Sequence, residues 1–306
     1  MKENVDAWSS FWRLMYEAGS SQLPTSVFAA ERFFVEAIAE IEKVPASILD
    51  LGSGNGALSR LLAPHLDSRC KIVVLDASMD ALRMSIENSD VIAVNARLEN
   101  LPFKENAVDL VVSQFGVEYA GFPIWDQIGR IIKKHGHLCL LMHSEQGQIF
   151  ADYQVNLDQI EVVTSSDFYK LLRASSLSNN SELELGVRST LSALVGTGQV
   201  LKTQLIDGSM TFQLIDRLVV ICSNQLHGKT ATAKTALLDW LCAAIVEIDA
   251  FGDRVHAMVN AALSKVEFIA LQDTLMDLGF KLLKVGELKT ERGESLGFKL
   301  HAVNNG

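Results

Sequence analysis

The chain has 306 residues, 48% of them hydrophobic and 21% charged, with a formal net charge of −10. That length suits one large domain or a domain with an insertion, and the composition is that of a soluble protein with a sizeable core. The acidic balance argues against a duplex nucleic-acid footprint, and four scattered cysteines without C-x-x-C spacing argue against a metal site or a disulfide framework, as expected of a cytoplasmic protein.

Residues 1–46 read as a helical arm. Trp8, Phe11, Trp12 and Met15 recur at helical spacing. Leu23-Pro24 breaks the pattern, and Thr25 or Ser26 can cap a second helix carrying Phe33, Phe34, Ala37, Ile38 and Ile41 on one side. The plain role of the aromatic stripe is packing; the sharper one is that Trp8, Trp12 or Tyr16 helps close a site. The opening residues MKENVDAWSS hold no apolar signal core.

Residues 47–150 alternate strand and helix. Ser47 to Gly56, S-I-L-D-L-G-S-G-N-G, is a short apolar strand running into a glycine-rich turn, with helical pattern from Ala57. This is the nucleotide end of a doubly wound α/β domain. The spacing is G-x-G-x-G, and Asp50 closes the strand. A dinucleotide would bring its pyrophosphate here, where a carboxylate repels it. A cationic ligand suits Asp50 better.

Lys71 to Asp76 is a second buried strand. Asp76 ends it where a ribose diol can donate two hydrogen bonds to one carboxylate; the plainer role is a cap on the following helix. Val91 to Val94 and Ala107 to Ser113 are the third and fourth strands. Ile124 to Lys134 is expected as a helix, Lys134-His135-Gly136 as a turn, and His137 to Met142 as the fifth strand.

Residues 151–263 leave this alternation and read as a helical cap inserted after the fifth strand. Ala236, Leu237, Trp240, Leu241, Ala244, Ile245 and Ile248 make one apolar stripe. Asp239, Glu247 and Asp249 keep that segment from spanning a bilayer. Gly196-Thr197-Gly198 and the run from Ser175 to Ser181 read as turns or loops. Residues 264–306 return to the core with a helix over Ser264 to Leu278, ended by Gly279, and a hairpin of Phe280 to Leu288 with Ser295 to Val303.

Several of these stretches together resemble the class I S-adenosylmethionine (SAM)-dependent methyltransferases. D-L-G-S-G-N-G resembles their motif I, and L-D-A-S-M at residues 75–79 follows their second motif. N-A-R-L-E-N-L-P-F at 95–103 resembles their third, and S-Q-F-G-V-E-Y at 113–119 their loop after strand four. D-L-G-F at 277–280 with its hairpin resembles their sixth and seventh strands. The resemblance covers residues 47–150 and 264–303.

It implies a doubly wound, seven-stranded, mostly parallel sheet with an antiparallel last strand. It also implies SAM as cofactor, S-adenosylhomocysteine (SAH) as product, and no metal. The cofactor-binding positions it implies are Asp50, Gly52, Ser53, Gly54, Asp76, Ala77, Met79, Arg97, Leu98, Gln114 and Phe115. Arg97 departs from the pattern, standing where the family has an acid that reaches the adenine amino group. A guanidinium cannot accept that hydrogen bond, though it can stack on the ring.

Methyl transfer by in-line displacement needs positioning and the exclusion of water. A base is required only for a hydroxyl or a protonated amine. His143, at the carboxyl end of the fifth strand, is the first candidate, followed by Glu118 and Tyr119; each has a structural alternative as a hydrogen-bonded or packed side chain. The expected acceptor is a small or medium organic molecule, with no duplex nucleic acid and no membrane. The apolar helices of the cap suit a homodimer surface as well as a lid. The competing reading is a non-catalytic protein that binds SAM or SAH and uses the cap as an interaction surface. A nicotinamide-dependent oxidoreductase is disfavoured by the glycine spacing, Asp50 and the terminal hairpin.

Overall fold

A computed structural model describes residues 2–17, 28–177, 187–227 and 234–306. Pro24 with Thr25 and Ser26, residues 178–181 of the expected loop, and the side chains of Tyr16, Ala236 and Leu237 lie outside the described residues. The chain divides into two compact units, one of residues 1–151 and 257–306, the other of Asp152–His256.

The first unit is built on a seven-stranded sheet. Its strands are β1 (Ser47–Leu51), β2 (Lys71–Asp76), β3 (Ile92–Asn95), β4 (Val108–Gln114), β5 (Ile132–Met142), β6 (Phe280–Lys289) and β7 (Ser295–Asn304), in the order β3-β2-β1-β4-β5-β7-β6. The first five pair in parallel. β7 enters between β5 and β6, antiparallel to both. This is the doubly wound, mostly parallel sheet with an antiparallel last strand that the sequence implies.

Parallel strands covered on both faces read as unbroken apolar runs, and alternation sorts each run between two cores. Leu49, Leu51, Leu138, Leu140 and Met142 face one, with Ile128 and Ile131 of helix α5 (Ile124–Ile131) and Leu271 and Leu275 of a helix near the C-terminus. Ile48, Cys139 and Leu141 face the other, with Phe33, Phe34 and Ala37 of helix α2 (Phe28–Ala39) and Leu58 and Leu62 of helix α3 (Ala57–Leu62).

Helix α5 stops three residues before the expected Lys134. Ile132 has extended backbone and opens β5. Two adjacent isoleucines suit a helix or a strand, and here pairing decides: Ile132 takes its place opposite Val108. The expected turn at His135 and Gly136 is an irregularity inside β5, with His135 at φ 62.

The second unit is helical. Helix α6 (Gln148–Ser165) starts in the first unit and α10 (Lys234–Ala261) finishes in it, and α7 (Asp167–Leu177), α8 (Val187–Lys202) and α9 (Met210–His227) lie between them in the chain. Its core joins Val163, Phe168, Leu172, Leu194, Ile215, Val219, Leu241 and Ile248. Gly196-Thr197-Gly198 is not a turn but the interior of α8. A Cβ on Gly198 would overlap Val219 Cγ2 and come within 3.1 Å of the Phe168 ring. This glycine brings α8 close to its neighbours. Ser175 is likewise helical, in the last turn of α7.

After α10 the chain re-enters the sheet through helix α11 (Lys265–Asp277), which opens on a capping box between Ser264 and Glu267.

Candidate functional site

The strand order reverses between β1 and β4, the position where ligands bind in doubly wound sheets. The chain is pinned there by close backbone approach. Gly52 has φ +63, and a Cβ on it would lie 2.9 Å from Gly116 Cα. Gly116 is equally constrained, because its Cβ would meet the carbonyl oxygens of Leu51 and Gly52 at 2.9 Å. Ser113 ties the two loops together, donating to Leu51 O at 2.6 Å and accepting from Val117 N at 3.0 Å.

Asp76, at the carboxyl end of β2, organises the first side of the site. Its Oδ2 accepts from Gly54 N at 2.9 Å and its Oδ1 from Ser78 N at 2.8 Å. Each carboxylate oxygen keeps further acceptor capacity. Burial pushes its pKa up against those bonds. Helix α1 (Lys2–Glu17) packs beside it on helix α4 (Met79–Asn88) through Trp12, Ala81 and Met84. The Trp12 ring covers Gly54, its Cζ2 lying 2.6 Å from where a Cβ would stand.

The segment after β3 forms another wall. Arg97 pairs with Glu99 at 3.0 Å, and Gln127 on α5 holds the loop by donating to Glu99 O at 2.7 Å and accepting from Leu101 N at 2.8 Å. On the far side Phe115 takes φ 55, a left-handed conformation that costs a non-glycine residue about 1–2 kcal/mol. Such strain persists where the surroundings impose it. It sets the Phe115 ring over the His143 imidazole, centroids 4.5 Å apart.

These pieces enclose a cavity of about 850 Å³, open mouth included, lined by Gly52, Gly54, Asp76, Arg97, Phe115 and Tyr119 among others. Ala77 and Leu98 line it too, as do Trp8 and Trp12 of the arm. Asp50, Ser53, Met79, Gln114, Glu118 and His143 do not. Asp50 is buried beneath the turn, accepting from Ser59 Oγ at 2.8 Å, and burial pushes its pKa up to about 7. Ser53 Oγ is buried with no partner. Met79 is half exposed and opens α4. Gln114 ends β4. Glu118 and His143 are buried against each other, 2.7 Å apart. Ser78, Glu99, Gly116 and Ala120 also line the cavity, and sequence reasoning did not single them out. Gly116 carried a legible signal, since a glycine just past a strand at the switch point marks close backbone approach.

The residues present fit a nucleoside-bearing, phosphate-free ligand. The turn leaves room where a Cβ would block it, and Asp76 has acceptor capacity for a ribose diol on the cavity wall. Aromatic rings supply flat apolar surface. Among the described residues no cluster of three or more His, Cys, Asp or Glu is placed to hold a metal ion, and no helix is long and apolar enough to cross a membrane.

Part of the chain matches known proteins. Residues 48–136 match a family described as a methyltransferase domain. A malonyl-[acyl-carrier protein] O-methyltransferase from Marinomonas sp. (strain MWYL1) is 29% identical over 99 residues, which are 30% of this chain and 36% of that protein. The chain thus spans about a third of the length of the curated relative it matches. Among solved structures, a chain of the complex between the Haloferax volcanii Trm112 methyltransferase activator and a methyltransferase is 13% identical, with a TM-score of 0.48 over 98% of this chain and 95% of that one. A SAM-dependent methyltransferase from Aquifex aeolicus is 12% identical, with a TM-score of 0.43 over 89% of this chain and 90% of that one. Residues 48–136 of the chain are thus similar to a methyltransferase domain.

Proposed function

We propose that the protein transfers the methyl group of SAM to a small or medium organic acceptor by in-line displacement. The observation that carries this is Asp76. Its carboxylate ends β2 on the cavity wall, held by Gly54 N and Ser78 N, with acceptor capacity left for a ribose diol. When bound, SAM supplies the activated methyl group; the chain supplies position and dryness.

In this reading Gly52, Gly54 and Ala77 let the cofactor approach the backbone, and Ser53 Oγ, buried and unpaired, is a hydrogen-bonding group for its methionine end. Buried Asp50 contributes its charge from beneath the turn. Leu98 and Phe115 pack on the cofactor, with Met79 and Gln114 at the rim. Glu99 answers the departure at Arg97, since it brings a carboxylate to the same wall and can accept from the adenine amino group. Trp8, Trp12 and Tyr119 close the mouth. A cytoplasmic setting and self-association through the helical unit belong to the same proposal.

The test is the affinity of Asp76→Ala for SAM. The variant leaves buried donors unpaired and is expected to bind more weakly by about 1–3 kcal/mol. An unchanged dissociation constant overturns the ribose assignment.

A further inference from the structure

Beside the cavity, Glu118 and His143 form a pair with a fixed polarity. The Glu118 side chain is wholly covered. Its Oε1 accepts from the His143 backbone N–H at 2.9 Å and lies 2.7 Å from His143 Nδ1. A carboxylate can only accept. Nδ1 therefore carries the proton of the neutral ring, and Nε2 is left bare.

The surroundings hold the ring in that pose. Phe115 lies over it, and Tyr119 meets it edge-on with centroids 6.0 Å apart; both rings line the cavity. The His143 side chain is 8% exposed.

A structural role does not account for a charge here. Gln127 holds a backbone N–H of the same wall with a neutral amide oxygen, whereas Glu118 buries a carboxylate whose Oε2 has no partner. Burying such a group is costly unless its charge is used. Its use is to orient an imidazole and to stabilise the imidazolium when the ring takes a proton, the relation of an orienting group to its base.

We propose that Glu118 is a positioning residue that holds His143 as the base of the site, and that the acceptor is therefore one that gives up a proton, a hydroxyl compound in the form tested below, rather than a carboxylate. This rests on the methyltransferase reading above. The acceptor oxygen bonds to the methyl carbon as that carbon's bond to sulfur breaks, and the bonding pair stays on sulfur. The acceptor's proton passes to Nε2, and Glu118 meets the charge of the imidazolium. A carboxylate acceptor has no proton to lose and gives the pair no task.

The first readout needs no cofactor. In the full-length chain with 15N-labelled histidine, the His143 signal is identified by its loss in His143→Gln. The neutral ring is expected as the Nδ1–H tautomer, and an Nε2–H tautomer overturns the proposal. The second readout follows transfer from radiolabelled SAM to phenol and to benzoate. Transfer to phenol is expected to fall about 100-fold or more in His143→Gln and Glu118→Gln, with SAM affinity unchanged and partial recovery in Glu118→Asp. Transfer to benzoate that survives His143→Gln overturns the acceptor class. Where neither probe is methylated, the tautomer alone decides. Failure to bind SAM in calorimetry overturns the methyltransferase reading and the acceptor class with it, while the tautomer still reports whether Glu118 positions His143.

Discussion

Asp50 is a carboxyl whose burial favours its protonated form. It is 1% exposed, and its one side-chain partner is the Ser59 hydroxyl at 2.8 Å. Burial, opposed by that hydrogen bond and reinforced by the charge of Asp76, moves its pKa from 3.8 to about 7. Between those two values the native chain holds a proton that the unfolded chain has released. Stability therefore falls as pH rises from about 4 to about 7 and is level above. At about 1.4 kcal/mol per tenfold in proton affinity, the ionised carboxylate costs on the order of 4 kcal/mol at pH 8. Asp50→Asn keeps an acceptor for Ser59 and removes the charge. It is expected to unfold at a higher temperature than wild type at pH 8, by roughly 4–8 °C for a chain of this size, and at nearly the same temperature at pH 4.5. Differential scanning fluorimetry of both proteins at the two pH values reads this directly. The same gain at both pH values, or a loss at pH 8, refutes the reasoning. A group kept ionised at such a cost has a use, and the proposed function supplies one in the cationic methionine end of SAM: Asp50→Asn should bind SAM more weakly at pH 8 even as it becomes more stable.

Two glycines test packing in the two units separately. Gly54→Ala places a methyl group 2.6 Å from the Trp12 ring, so the arm must shift; tryptophan fluorescence should change and SAM affinity should fall, and an unaltered spectrum contradicts the contact. Gly198→Ala forces a methyl group onto Val219 between α8 and α9 and should destabilise the helical unit by about 1–3 kcal/mol, read as a lower denaturant midpoint; a stabilised variant would return residues 196–198 to an open turn.

The parts legible in the sequence are those whose cause is local. Ile48, Leu49 and Leu51 read as a buried strand because both faces of a central parallel strand are covered, and the glycines after Leu51 announce a backbone that no Cβ permits. The terminal hairpin is equally plain, since Gly279 and Gly293, both with positive φ, each precede a run of strand residues. The misreadings have long-range causes. Gly198 looks like a turn residue locally, yet it falls on the buried side of α8 with Leu191, Leu194 and Leu201, and only Val219 and Phe168 explain why no side chain is admitted. The end of α5 depended on Val108, which pairs with Ile132 across the sheet. Glu99 was hidden because the motif drew notice to Arg97, two residues earlier. The sequence also offered no sign that Glu118 and His143, 25 positions apart, share a hydrogen bond; the sheet brings the ends of β4 and β5 together.

The most direct test of the central claim is a calorimetric titration of the purified protein with SAM, SAH and NAD in turn. The account predicts that SAM and SAH bind and that NAD does not, because the proposed reading gives Asp76 to a ribose and leaves the negative charge of buried Asp50 beneath the turn, unfavourable to a pyrophosphate. Binding of NAD, or silence with both SAM and SAH, contradicts it.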